Sequence, residues 1–175
     1  MEALVPAFIA VFLAEFGGTS QRQVEAMLAA NRNWLPPLLL LIAIMVASAI
    51  GGLFMAPIMP IPARGLLVGL ALVVAGAPML IPRRKRDIVP GYVRLIAALM
   101  GAGGPFVVMA LSARTGMPAL AVLGGVLGGL AVLVPQMTTD QPIRRVWPMK
   151  AIRRISGAIL VLSGLWTALR SLGLI

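Results

Sequence analysis

The sequence predicts an all-α membrane protein with six transmembrane helices arranged as two inverted three-helix repeats. Three observations predict it. Apolar residues make up 60% of the chain and charged residues only 11%, far from the roughly 45–50% and about 25% of soluble domains. Apolar stretches close to the roughly 20 residues needed to cross a bilayer recur along the chain. The basic residues gather in alternate connections, as the positive-inside rule requires of a multi-pass protein.

In chain order, the apolar stretch 4–16 is too short to cross about 30 Å of hydrocarbon at about 1.5 Å per residue. The first span therefore takes in residues 17–30, an amphipathic stretch with Arg22 and Glu25 that is expected to line protein or water. Its two parts meet at Gly17-Gly18-Thr19-Ser20-Gln21, two helix-weakening glycines followed by three oxygen-bearing side chains, which reads as a broken helix. The second span, 35–59, opens on Pro36-Pro37, where a missing N–H costs little. The third, 65–81, runs up to Arg83-Arg84-Lys85-Arg86. The fourth, 95–113, carries Gly101, Gly103 and Gly104 as its helix-breaking residues. The fifth, 118–134, opens on Pro118 and holds two glycine pairs that permit close helix approach. The sixth is 155–169. Met1-Glu2 lacks the basic segment of a cleavable signal, so the first span is expected to be retained.

The basic clusters around the third and fifth connections, with only Arg64 and Arg114 near the second and fourth, place both termini outside a bacterial-type inner membrane. The run 83–86 has no interleaved aromatic platform, so the expected partner is anionic lipid of the bilayer and not nucleic acid. Trp34, Tyr92 and Trp147 fall near span ends as interfacial anchors, and Trp166 falls inside the last span. The two halves correspond in position: each has a glycine-bearing first span, a short basic connection and a proline-opened second span. The chain thus divides into a repeat at 1–82, a basic cytoplasmic linker at 83–91 and a repeat at 92–175. Three spans per repeat is odd, so the second copy inserts upside down, a plan recurrent among transporters.

Cysteine and histidine are both absent, which excludes disulfides, thiolate or imidazole metal sites, cysteine nucleophiles and Ser-His-Asp catalysis. A bound metal would have to be a hard cation held by oxygen. No enzyme is expected, because Gly101 to Gly104 lie in an apolar span and not in a nucleotide-binding strand-helix unit. No resident cofactor is expected either. The 11 methionines are read as packing residues.

Glu15 stands out. It is one of five acids in the chain, and the only one within the first apolar stretch. An intramembrane carboxylate costs several kcal/mol unless partnered, which makes it a functional-site candidate. Glu25, three residues from Arg22, reads as a local ion pair at the cytoplasmic mouth. Asp87 and Asp140 read as solvated partners of neighbouring arginines.

Glu15-Phe16-Gly17-Gly18-Thr19-Ser20-Gln21, followed by Leu28-Ala29-Ala30, resembles the first signature of the GDT-type cation/proton antiporters, the transmembrane protein 165 relatives also called uncharacterised protein family 0016. That family carries Glu-x-Gly-Asp-Lys/Arg-Thr/Ser, usually followed by Gln, once in each of two three-span halves. Glu15, Gly17, Ser20 and Gln21 match it, whereas Gly18 stands at the Asp position and Thr19 at the Lys/Arg position. In the second half only Gly101 matches, and no acid remains. The resemblance implies six spans and a site for Mn²⁺ or Ca²⁺ exchanged against protons, with Glu15, Thr19, Ser20 and Gln21 as metal ligands. In the second half only backbone carbonyls near Gly101 to Gly104 could contribute, with Ser112 too far along. The alternative expectation is a degenerate membrane subunit of the same family, either transport-inactive or dependent on a partner, with a homo-oligomer or a complete homologue as the possible partner. A third is a small bundle with another membrane role.

Overall fold

The computed structural model describes residues 2–16, 18–30, 33–81, 91–138 and 149–174, and leaves undescribed the side chains of Thr19, Ala30, residues 136–138 and Met149. Gly17, the linker expected at 83–91 apart from Gly91, both loop aspartates, Trp147 and the basic pair Arg144-Arg145 therefore lie outside the described residues.

All regular structure among the described residues is helical: α1 Leu4–Glu15, α2 Thr19–Ala30, α3 Leu35–Met55, α4 Ile61–Leu80, α5 Tyr92–Met100, α6 Gly104–Thr115, α7 Pro118–Thr138 and α8 Met149–Ser171. Four of these, α3, α4, α7 and α8, are long and apolar enough to cross a membrane alone. The pairs α1–α2 and α5–α6 reach that length only together, bent by 66° and 48°, so the chain has four to six candidate spans. The fourth stretch is interrupted between Met100 and Gly104, beside the glycines expected to break it.

Two boundaries differ from the hydropathy reading. Helix α4 begins at Ile61 and not at residue 65, because extended Pro60 precedes it and a proline occupies its first turn, where φ is already helical. Arg64, which depresses local hydropathy, is accommodated by donating from Nε to the Met59 carbonyl at 3.0 Å. Helix α8 begins six residues before the apolar stretch. Its basic first turns reach outward, and Arg153 Nη2 donates to the Ile81 carbonyl at 2.6 Å, so the stem can pack while the charge stays wet.

The distribution of side chains suits hydrocarbon. Phe54, Ile58, Ile61 and Val93 are each more than 70% exposed, while Glu15, Ser20, Gln21, Gln23, Ser112 and Ser156 are buried. Polar groups therefore turn inward and large apolar ones outward, the reverse of a soluble domain.

Small residues set the packing. Helices α4 and α8 meet along a seam in which Gly69 faces Gly164 and Gly76 faces Gly157. A Cβ on Gly69 would come within 2.7 Å of the Gly164 carbonyl oxygen, and one on Gly164 within 2.6 Å of that of Gly69. The Gly76–Gly157 pair repeats this contact, again within 3 Å both ways. Backbones this close gain dispersion contacts in place of the hydrophobic drive that lipid removes. Elsewhere α1 lies on α7, α3 on α6 and α7, α1 on α6, and α2 on α5. Helices α3 and α6 are stitched by Ser112 Oγ, which donates to the Ala49 carbonyl at 2.8 Å.

Gly69→Val and Gly157→Val should each lower the stability of the detergent-solubilised protein by about 1–3 kcal/mol, the usual cost of overpacking. Gly51→Ala should leave it unchanged, since the nearest atom to a Cβ there lies 3.8 Å away. Thermal unfolding followed by circular dichroism measures all three.

Candidate functional site: a buried carboxylate between two helix breaks

Helix α1 ends on Glu15. Phe16 turns extended, with ψ 115°, and α2 leaves at 66° to α1 after Gly18, whose N–H donates to the Glu15 carbonyl at 2.9 Å. A Cβ on Gly18 would sit 2.9 Å from that same oxygen and 3.2 Å from Ser20 Oγ, so the turn in this form has room only for glycine. The bend leaves Ser20 in the first turn of α2 beside the end of α1, where its hydroxyl donates to Glu15 Oε2. Glu15, Ser20 and Gln21 are 3%, 0% and 2% exposed.

The other carboxylate oxygen, Oε1, is buried and has no hydrogen-bond partner among the described residues. It points at the second break. There α5 stops at Met100, Gly103 takes a left-handed conformation with φ 83°, and α6 starts at Gly104. A Cβ on Gly104 would lie 3.0 Å from Glu15 Oε1, 3.4 Å from a Val11 methyl and 3.6 Å from the Met45 methyl. The unpaired oxygen thus sits against the first residue of α6, in a wall that is otherwise apolar. A helix's first amides lack intrahelical acceptors and carry its positive partial charge, so this end is a favourable neighbour for an anion. Gly103 is required twice over: its φ disfavours other residues, and a Cβ would fall 2.6 Å from that of Ala75 on α4.

Of the residues expected at a site, Glu15, Ser20 and Gln21 cluster, with Gly18 forming the turn that gathers them. Thr19 begins α2, and its side chain lies outside the described residues. Gly104 is brought to Glu15 and Gly103 supports it, whereas Gly101 caps α5 on the exposed surface. The second half was expected to offer carbonyls here. The Gly103 carbonyl accepts from Val107 N–H at 3.0 Å, and the group of the second half that lies against the carboxylate is Gly104, at the amino end of α6. Ser112 lies near the far end of α6, bonded to α3. Sequence reasoning missed Val11 and Met45 as walls of the site. The one signal for them was their buried helical register on α1 and α3.

No protein-family model, curated protein or solved structure matches the chain.

Removing the hydroxyl in Ser20→Ala leaves Oε2 buried without its donor, and should cost about 1–3 kcal/mol of stability. In a Glu15→Met background the same change should cost at least about 0.5 kcal/mol less, the coupling expected of directly bonded neighbours. A double-mutant cycle on the solubilised protein reads this difference, and simple additivity would contradict the bond.

Proposed function

We propose that the chain is a secondary transporter of the cation/proton type, in which Glu15 holds alternately a proton and a cation. The observation that carries this reading is the buried Glu15 Oε1, without a hydrogen-bond partner among the described residues, at the meeting of two broken helices. Broken helices at mid-membrane are where secondary transporters expose backbone and side-chain oxygens to an ion. Ser20 and Gln21, with Thr19, are the neutral oxygens nearest in sequence. The resemblance of residues 15–21 to the GDT-type signature supports Mn²⁺ or Ca²⁺ as cargo.

We further infer two inverted three-helix halves, a symmetry that part of the packing follows, although the strong α1–α7 and α3–α6 contacts have only slight counterparts in α3–α5 and α2–α7. Exchanging the halves turns the α1–α6 contact into α5–α2, and returns α3–α7 and α4–α8 to themselves. Rocking of one half against the other would then open Glu15 to each side in turn, with both termini outside in a bacterial-type inner membrane.

A second reading, a degenerate subunit dependent on a second copy or a complete homologue, is favoured by one feature. The residue that the second half presents to Oε1 is Gly104, which has no side chain. A dication prefers six or more oxygens and two or more negative charges. One carboxylate leaves it under-neutralised in low dielectric.

Flux of Mn²⁺ and Ca²⁺ into proteoliposomes under an imposed pH gradient separates the two. The transporter reading expects flux that falls to the protein-free background in Glu15→Gln. Folded wild-type protein without flux for either ion would shift the assignment to the subunit. Because the chain has no cysteine, single substitutions report orientation cleanly: Lys85→Cys should react with an impermeant maleimide only from the cytoplasmic side, and Pro57→Cys only from the outside.

A further inference from the structure

Arg64, Arg114 and Arg170 are the only basic residues of the second connection, the fourth connection and the segment after the last span. Far apart in sequence, they line one pocket of about 760 Å³, where the start of α4 meets the ends of α6 and α8. Trp166, Thr167 and Ser171 complete its wall. Three guanidinium groups around one space repel unless an anion lies between them. Arg64 spends Nε on the Met59 carbonyl, which leaves the outer edge of its fork for a ligand. The one described acid at this end, exposed Glu2, lines an adjoining groove and not the arginine pocket.

That groove, of about 610 Å³, shares Arg114 and Thr167 with the arginine pocket. It runs between α1, α4, α6 and α8, and its walls include Ile9, Leu13, Val68, Leu72 and Ile159. Along α1 it extends from Glu2 to Leu13, roughly 16 Å at the helical rise, about the depth of one leaflet. A charged pocket that shares two of its wall residues with a mainly apolar groove about one leaflet deep matches one chemistry, an anionic head on a hydrocarbon chain.

We propose that Arg64, Arg114 and Arg170 bind the phosphate of an anionic membrane lipid, one of whose acyl chains lies in the groove between α1, α4, α6 and α8. A bare phosphate would use the arginines and leave the groove without a role. A zwitterionic lipid would fill the groove but bring its own cation to the arginines. Arginine suits the task because its planar fork meets phosphate oxygens two at a time. The site is independent of Glu15 and does not rest on the transporter reading.

The test uses the full chain in mild detergent with phosphatidylglycerol and phosphatidylcholine at equal concentration, with bound lipid counted by native mass spectrometry. The wild type should retain phosphatidylglycerol at least about fivefold over phosphatidylcholine, and each arginine changed to glutamine should remove roughly fivefold, given about 1 kcal/mol per basic residue at a membrane surface. Lys150→Gln, an exposed basic residue at the opposite end of α8, should change nothing. Ile159→Trp, which fills the groove from a half-exposed position, should lower retention of both lipids, and glycerol phosphate should not displace the bound one. Equal retention of the two lipids by wild-type protein overturns the proposal without recourse to any variant. An equal loss in Lys150→Gln overturns the arginine site, and displacement by glycerol phosphate, or no effect of Ile159→Trp, overturns the lipid assignment.

Discussion

A backbone that leaves its helical path inside hydrocarbon exposes amides and carbonyls that lipid cannot satisfy, so an interrupted span must be covered by protein at the depth of the interruption. Two interruptions occur here, and they cover one another: α1 packs on α6 while α2 packs on α5. The end of α1 thereby meets the start of α6, a carboxyl-terminal half-helix end beside an amino-terminal one. Glu15 is the last residue of α1. Its charge lies where the positive end of α6 is nearest and where Ser20 can reach back to it.

The remaining helices hold this crossing in place. Helix α3 lies against α6 and α7, and α7 lies against α1, so two unbroken helices flank the pair of breaks. The α4–α8 seam stands beside them, closed by facing glycines, and α4 also packs on α6, with Ala75 under Gly103. Each approach depends on the absence of a side chain. Interhelical distance in a membrane is set by what the smallest residues allow, because hydrocarbon supplies no hydrophobic pressure to force helices together. Tight seams and an open turn are therefore compatible in one small bundle: the glycines of α4 and α8 sit in regular helix, while Gly103 supplies a left-handed φ.

Much of this was legible in the sequence, for physical reasons that can be stated residue by residue. The shortness of the first apolar stretch forces a broken span, and Glu15, Gly18 and Ser20 lie close enough in sequence for local geometry to join them. Position 104 was legible as a break but not as the neighbour of Glu15, since that contact depends on how two spans cross. The start of α4 was misplaced because a hydropathy window counts Arg64 as a charge and cannot see its hydrogen bond to Met59. The three arginines were harder still. Each reads singly as a topology signal, and only the antiparallel packing of α4 on α8, with the end of α6 beside them, assembles residues 64, 114 and 170 around one pocket.

The departures from the antiporter signature can be weighed against this geometry. At position 18 an aspartate would place its Cβ 2.9 Å from the Glu15 carbonyl and 3.2 Å from Ser20 Oγ, so the turn would have to open before a second carboxylate could enter. Glycine removes that ligand, and at the same time permits the tight bend that lets Ser20 bond Glu15. At position 104 any side chain would meet Oε1 directly. The two glycines thus shape a cage with one negative charge, one hydroxyl and one helix amino end, in which a second anion has no seat. A single positive charge, a proton or a monovalent ion, would leave such a cage neutral, whereas a dication would leave it charged in a low dielectric. If the chain moves a dication, the missing charge must come from a rearranged state that opens the Gly18 turn or from a partner. If it moves protons against a monovalent cation, the charges balance, but the positive end of α6 must draw back from Oε1 before that cation can take the proton's place.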